Sequence, residues 1–336
     1  MSIRREHWLQ GVKMALGAAA AIFLSQALGL QSSPTAGIIT VLSILGTKRE
    51  TLLTARNRLL AYMTSLLIAF GCYSLMGYTV LAFTVYLFLF AALCCGLGWT
   101  YAIAMVSVLT SHYMIAGSMS PGLVLNETLL MAIGTGFGIL VNLHLRADHS
   151  GIRQRLNRVD EGMRRQLSLL ADTLEAEDAS ALSLAREELG RLREAIDQAE
   201  VLARRNMDNQ LLHPSLYDIR YAAMRRRQCR MLAQALTAVE KMEDTPEQQR
   251  QVGAFLRQIA GEYDRNNDVS GLLAVHAGIL RDMKRSPLPA TRAEFESRAL
   301  LYAVLLRLED FLQAKRQFYL ENQGETDKRS YNGPVY

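Results

Sequence analysis

Charge is what the first 145 residues have least of. They hold seven Lys/Arg and three Asp/Glu, against thirty and twenty-nine in the 191 residues that follow. A break in composition this abrupt marks a domain boundary. It divides the chain into 1–146, 147–321 and a polar, disordered tail at 322–336. Most of the net charge of +5 falls in the first stretch, where orientation in a membrane accounts for it, so the basic balance does not point to nucleic acid. Cysteine is scarce too. Of four, Cys72, Cys94 and Cys95 lie inside apolar runs, which argues against a disulfide framework, and adjacent Cys94-Cys95 lacks Cys-x-x-Cys spacing. No Gly-Lys pair occurs; without a phosphate-binding loop, ATP-driven pumping by this polypeptide alone is not expected. No His-Glu-x-x-His, no Gly-x-Ser-x-Gly and no paired-carboxylate arrangement is present, which leaves an enzyme reading without residues. No cofactor and no metal are expected. Strand-like alternation is missing throughout, so the expected fold class is all-α. The first apolar run has no convincing small-residue cleavage site, which favours a retained span over a signal peptide.

What is present is a series of apolar runs. A bilayer-spanning helix needs roughly 20 mostly apolar residues. Segments near 10–30, 34–46, 59–77, 79–97, 101–119 and 127–145 qualify or nearly do. The second is short and opens with Pro34, which suits a first helical position. Lys/Arg residues gather before the first run, between the second and third (Lys48, Arg49, Arg56, Arg58) and after the sixth (Arg146, Arg153, Arg155). The intervening loops near 31–33, 78, 98–100 and 120–126 carry none. The positive-inside rule then gives six spans in a cell membrane with both termini in the cytoplasm. A cytoplasmic helical bundle follows.

Polar residues at membrane depth are the candidates for function. His112 lies inside the fifth run and Glu127 opens the sixth. His112 is a candidate proton site, set against a plain interhelical hydrogen bond. Glu127 is set against an ordinary anion at a helix N-terminus. Arg58, Arg56, Arg49 and Lys48, read as a basic inner loop, suit an anion path, because guanidinium groups take carboxylates in a bidentate fork; topology alone also asks for cations there. Gly134 and Gly138 form a small-xxx-small pair for close helix packing. With Gly136 they imitate a dinucleotide loop, but no strand precedes them.

Beyond 150 the apolar residues keep helical spacing. Leu156, Val159, Met163, Leu167, Leu170 and Leu174 form one stripe, and Leu182, Ala185, Leu189, Leu192, Ile196, Ala199 and Ala203 another, as amphipathic helices of a bundle do. Thr245-Pro246-Glu247 reads as a helix start and Thr291-Arg292-Ala293-Glu294 as a capping box for a last helix to about 321. Arg225-Arg226-Arg227 is the densest basic cluster. Solvation, ion pairing within the bundle and anionic lipid are the readings for it. His144 and Asp148 share a helical face, but two weak ligands do not make a zinc site.

The run Pro34-Thr35-Ala36-Gly37-Ile38-Ile39-Thr40-Val41-Leu42-Ser43, then Lys48-Arg49-Glu50-Thr51 and Arg56-Asn57-Arg58-Leu59-Leu60-Ala61, resembles the aromatic acid exporter family. Arg58 matches the Arg that opens the third span in that family. Where members often carry a Gly-Thr pair, this chain reads Ala61-Tyr62. The layout, six spans and then a cytoplasmic helical domain, is similar as well. The resemblance implies secondary export of aromatic carboxylates or related organic anions by a homo-oligomer whose subunits each supply one six-span half. A passive anion channel is the first alternative. A membrane-anchored helical scaffold or sensor is the second, kept open by the long stripe at 182–203.

Overall fold

The computed structural model describes residues 2–44, 46–143, 148–175, 179–211, 214–265 and 267–322. Within these it is all-helical. Six helices come first: α1 (Ser2–Ala27), α2 (Pro34–Ser43), α3 (Lys48–Met76), α4 (Val80–Leu97), α5 (Thr100–Ala116) and α6 (Pro121–Leu143). Six more follow: α7 (His149–Glu175), α8 (Ala179–Asp208), α9 (Tyr217–Glu240), α10 (Gln249–Gly261), α11 (Ser270–Arg285) and α12 (Arg292–Glu321). Of the expected tail at 322–336, only Asn322 is described. The chain forms two compact units, one of residues 1–147 with 208–214, the other of 148–207 with 215–336.

In the first unit α2 packs against α1 and α6, while α3, α4 and α5 pack on one another and α3 also meets α6. α3, α4 and α6 are long and apolar enough to cross a membrane; Gly11–Ala27, Pro34–Ser43 and Thr100–Ala116 are shorter apolar helices. Large side chains such as Phe23, Leu67, Leu75, Phe88 and Ile115 point outward. An apolar exterior of that extent is what lipid requires and water penalises. The interior uses small residues and phenols: Ala21, Ala36, Ala61, Ala69, Ala82 and Ala102 are buried beside Tyr62, Tyr86 and Tyr113. α4 and α5 stop at Gly98 and Gly117, both left-handed at φ 71° and 61°, which glycine adopts without a Cβ penalty.

Two boundaries differ from the sequence expectation, and both matter for the site. The basic stretch between the second and third apolar runs is helix, not loop: α3 starts at Lys48, capped by Thr47, whose side chain accepts from the Glu50 amide. With no Pro or Gly between Lys48 and Phe70, nothing stops the helix from carrying its charged turns straight into the apolar run. α6 starts at Pro121, so Glu127 lies well inside it rather than opening it. Both differences have one cause: helix length follows capping and breakers, and these do not coincide with the edges of hydrophobic runs.

In the second unit α7 packs on α9 and α10, α9 on α12, and α11 on α10 and α12. The stripes from Leu156 to Leu174 and from Ala185 to Ala203 are its buried faces. Thr291 and Glu294 form a reciprocal cap on α12: Glu294 N–H donates to Thr291 Oγ1 at 3.0 Å, and Ala290 N–H donates to Glu294 Oε2 at 2.8 Å. Pro246 begins a turn rather than a helix; α10 starts at Gln249.

Candidate functional site

One face of α3 buries polar side chains. Thr51, Thr54, Arg58, Tyr62 and Ser65 recur at helical spacing and are all turned inward. Arg58 is only 3% exposed. Its Nη1 donates to Ser43 Oγ and its Nη2 to the Leu42 carbonyl, each at 2.8 Å. That carbonyl is available because α2 ends at Ser43, leaving its last C=O groups without helical partners. Arg58 Nε has no partner among the described residues. The Tyr101 ring centroid lies 5.9 Å from the guanidinium carbon, and no carboxylate pairs with Arg58 among the described residues. A buried guanidinium held by neutral acceptors alone is a costly arrangement and one suited to a carboxylate ligand.

The other three cations sit elsewhere. Arg56 is exposed and reaches only the adjacent Asn57, at 3.3 Å. Arg49 is exposed and lies 3.6 Å from Asp208, while Lys48 N–H donates to Asn209 Oδ1 at 3.1 Å. Ten residues of helix, about 15 Å, separate Lys48 from Arg58. The four are therefore one buried contact and three cations outside it, two exposed and one half-buried, not a single cluster.

Gly138 of α6 connects packing to this site. A methyl group there would collide with Ser43, the partner of Arg58; at Gly134 it would come within 2.6 Å of Ile39. The two glycines let α6 lie directly on α2. One turn further, Asn142 Nδ2 donates to Thr51 Oγ1 at 2.5 Å.

His112 and Glu127 meet: Nδ1 lies 2.7 Å from Oε2. Glu127 is fully buried, and its Oε1 accepts from Asn126 Nδ2 at 3.0 Å. Asn126 also brackets the Gln31 backbone, accepting from its N–H at 2.8 Å and donating to its C=O at 3.2 Å. α5, α6 and the α1–α2 connection thus share one network.

A set of hydroxyls went unnoticed in the sequence. Tyr62 Oη lies 3.0 Å from Thr128 Oγ1 and 3.3 Å from Tyr113 Oη; Ser65 Oγ lies 2.7 Å from Tyr86 Oη and 3.0 Å from Thr110 Oγ1. The signal was there in the spacing of Arg58, Tyr62 and Ser65 on α3 and of Thr110 and Tyr113 on α5, but hydroxyls inside apolar runs carry no charge to draw attention. Tyr62 stands where the family resemblance leads one to expect the Gly-Thr pair.

The second unit has a buried ionic cluster of its own. Arg225, with no exposed surface, donates to Asp160 Oδ1 at 3.0 Å, Gln228 Oε1 at 2.7 Å and Tyr221 Oη at 2.5 Å, and also to Tyr263 Oη. The rings of Tyr221 and Tyr263 cover it at 4.7 and 4.3 Å. Arg265 Nε reaches the other Asp160 oxygen at 2.7 Å. Burial alone would raise the Asp160 carboxyl, but Arg225 and Arg265 outweigh it and hold it below the usual range. Lys315 is buried beside them and donates to the carbonyls of Asp264 and Arg265 at 2.5 and 2.7 Å. Burial, with repulsion from Arg225, brings its ammonium down to about 7. The basic triplet separates on its helix: Arg225 goes inward, Arg226 pairs with Glu200 and Asp197, and Arg227 is exposed. Among the described residues no three His, Cys, Asp or Glu side chains gather as a metal site would require; His144 lies outside them.

Comparison with known proteins covers nearly the whole chain. Residues 9–145 match the family described as aromatic acid exporter family member 1, and residues 149–316 match the putative aromatic acid exporter C-terminal domain. A relative, the uncharacterized protein YqjA of Bacillus subtilis (strain 168), is 28% identical over 307 residues, covering 91% of this chain and 94% of its own. A solved putative membrane protein from Clostridium difficile 630 is 24% identical with a TM-score of 0.44, covering 50% of this chain and 99% of its own.

Proposed function

The chain belongs to the aromatic acid exporter family, and from that membership and the polar interior of its first unit we propose that it is a secondary exporter of aromatic carboxylates or related organic anions across the cell membrane. In this reading the six apolar helices all enter the bilayer, with α2 too short to cross it unaided. Both termini lie in the cytoplasm, and the chain works as a homo-oligomer. The observation that carries the proposal is Arg58: a buried guanidinium with, among the described residues, no anionic partner and one N–H unused. An arriving carboxylate supplies the missing charge. The exposed Arg49 and Arg56, with the half-buried Lys48, raise the local concentration of anions at the cytoplasmic side. His112 and Glu127 form the coupling site, taking a proton as the anion leaves.

The test is release of labelled 4-hydroxybenzoate from proteoliposomes holding the purified full chain, with and without a pH gradient. The expected result is flux above empty liposomes that responds to the gradient. His112→Ala and Glu127→Gln should each leave flux measurable but flatten its pH dependence. Flux that ignores the pH gradient and follows voltage would replace coupled export by a passive channel. A folded protein silent toward a panel of organic anions would overturn the transport reading.

A further inference from the structure

Helix α12 is buried on one side and unexpectedly apolar on the other. Ser297, Leu301, Val304, Leu305 and Leu308 face the bundle. Phe295, Ala299, Tyr302 and Leu306 face away and are exposed in the full chain, Phe295 at 61%. Their spacing of four, three and four residues is that of a coiled-coil seam, and it has no helix to pack against among the described residues. Scattered exposed apolar side chains are ordinary; a seam over three turns of one helix is not.

We propose that this seam is a self-association surface, on which α12 of a second copy of the chain packs antiparallel. Antiparallel pairing about a two-fold axis between residues 300 and 301 sets Tyr302 against the small Ala299 of the other copy and Phe295 against Leu306, large on small at the centre and apolar on apolar at both ends. Two-fold symmetry makes each contact occur twice. The charges agree with that register. Counting about 100° per residue, Arg292 and Asp310 lie on the same edge of the seam at its opposite ends. The antiparallel register therefore brings each Arg292 to the Asp310 of the other copy. Within one chain these two groups make only exposed pairs, Arg292 with Glu296 at 2.8 Å and Asp310 with Arg307 at 3.2 Å, which are weakly held and free to rearrange. A parallel copy would carry its Arg292 and Asp310 on the opposite edge of the seam, where neither meets the other. An anionic membrane surface is a poorer occupant, because Glu296, Glu309 and Asp310 border the seam along with Arg292 and Arg298, which leaves no excess of cations facing such a surface. The inference rests on the homo-oligomer reading above only in needing two copies; it stands whatever the chain transports.

The experiment is site-directed cross-linking of the full chain in native membranes. Cys95 is the one exposed cysteine among the described residues, so the background carries Cys95→Ser. Two differently tagged copies are co-expressed, one with Ala299→Cys and the other with Tyr302→Cys, and oxidised. The mixed disulfide should exceed either same-residue disulfide by about tenfold, since bridging needs Cα atoms within about 7 Å. Arg292→Glu in one copy should reduce the mixed product, and Asp310→Arg in the other should restore it. Absence of the mixed product from folded, correctly inserted protein would overturn the proposal, as would dominance of the Ala299→Cys self-disulfide. A polarity-sensitive dye on Ala299→Cys that responds to phosphatidylglycerol vesicles and not to dilution of the protein would overturn it in favour of a lipid surface. Proteoliposome flux of the same variants keeps the result apart from the transport reading: failed cross-linking with intact flux counts against the seam alone.

Discussion

Two buried arginines summarise the difference between the two units. Arg225 sits among Asp160, Gln228, Tyr221 and Tyr263, between two aromatic rings, sharing the Asp160 carboxylate with Arg265 and with its donors engaged. Arg58 has a serine hydroxyl, one helix-end carbonyl and an unused Nε. The first arrangement is complete without a ligand, which is what a structural ion pair looks like. The second is incomplete, which is what a binding group looks like. Burial therefore does not distinguish structural from functional cations; the inventory of partners does.

The sharpest way to break this comparison is to remove each arginine. Arg225→Met removes the buried guanidinium and its hydrogen bonds to Asp160, Gln228, Tyr221 and Tyr263, leaving Asp160 to Arg265. It should lower stability by at least about 1.5–3 kcal/mol, the worth of one charged hydrogen bond, read as earlier thermal unfolding of the detergent-purified chain. A marginal shift would mean that Arg225 is no more structural than Arg58. Arg58→Ala should instead leave unfolding little changed and cut organic-anion flux about ten- to a hundredfold, the worth of a charge-assisted hydrogen bond of ~1.5–3 kcal/mol. Arg58→Lys should keep part of the flux, because the charge remains and the fork is lost. Gly138→Val tests whether the packing of α6 on Ser43 matters to Arg58. Overpacking of this kind costs about 1–3 kcal/mol, and here flux should fall further than stability does.

The smallest effect concerns pH. Burial holds the Lys315 ammonium down to about 7, below its value in an unfolded chain. Between that pH and about 10.4 the unfolded state binds the extra proton, so stability should rise with pH across this window. Chemical denaturation at a series of pH values should show the rise in the wild type and lose it in Lys315→Met. An unchanged slope in the variant would assign the effect to another group.

Some of this was legible in the residues. The split near 146, the all-helical class, the amphipathic stripes of α7 and α8 and the cap at Thr291 follow from composition, period and local hydrogen bonding, each of which acts over a few neighbouring residues. His112, Glu127 and Arg58 stand out in the sequence as polar groups in an apolar setting, but their partners are not visible there. That His112 touches Glu127, fifteen residues away on another helix, and that Asn126 ties both to Gln31, ninety-five residues away, depends on how α1, α2, α5 and α6 pack. The extent of α3 and α6 was misjudged because hydropathy marks what is apolar and not where a helix is capped.

By itself, then, the sequence determined which half is apolar and which is densely charged, because the cost of burying charge is a property of each residue. It also determined where most helices run, because helical period and capping are local. Only the tertiary structure decided which of four neighbouring cations is enclosed, which carboxylate meets the histidine, and that a complete ionic cluster at Arg225 stands in contrast to an incomplete one at Arg58. Those outcomes are set by contacts between residues far apart in the chain, and no local property of the sequence specifies them.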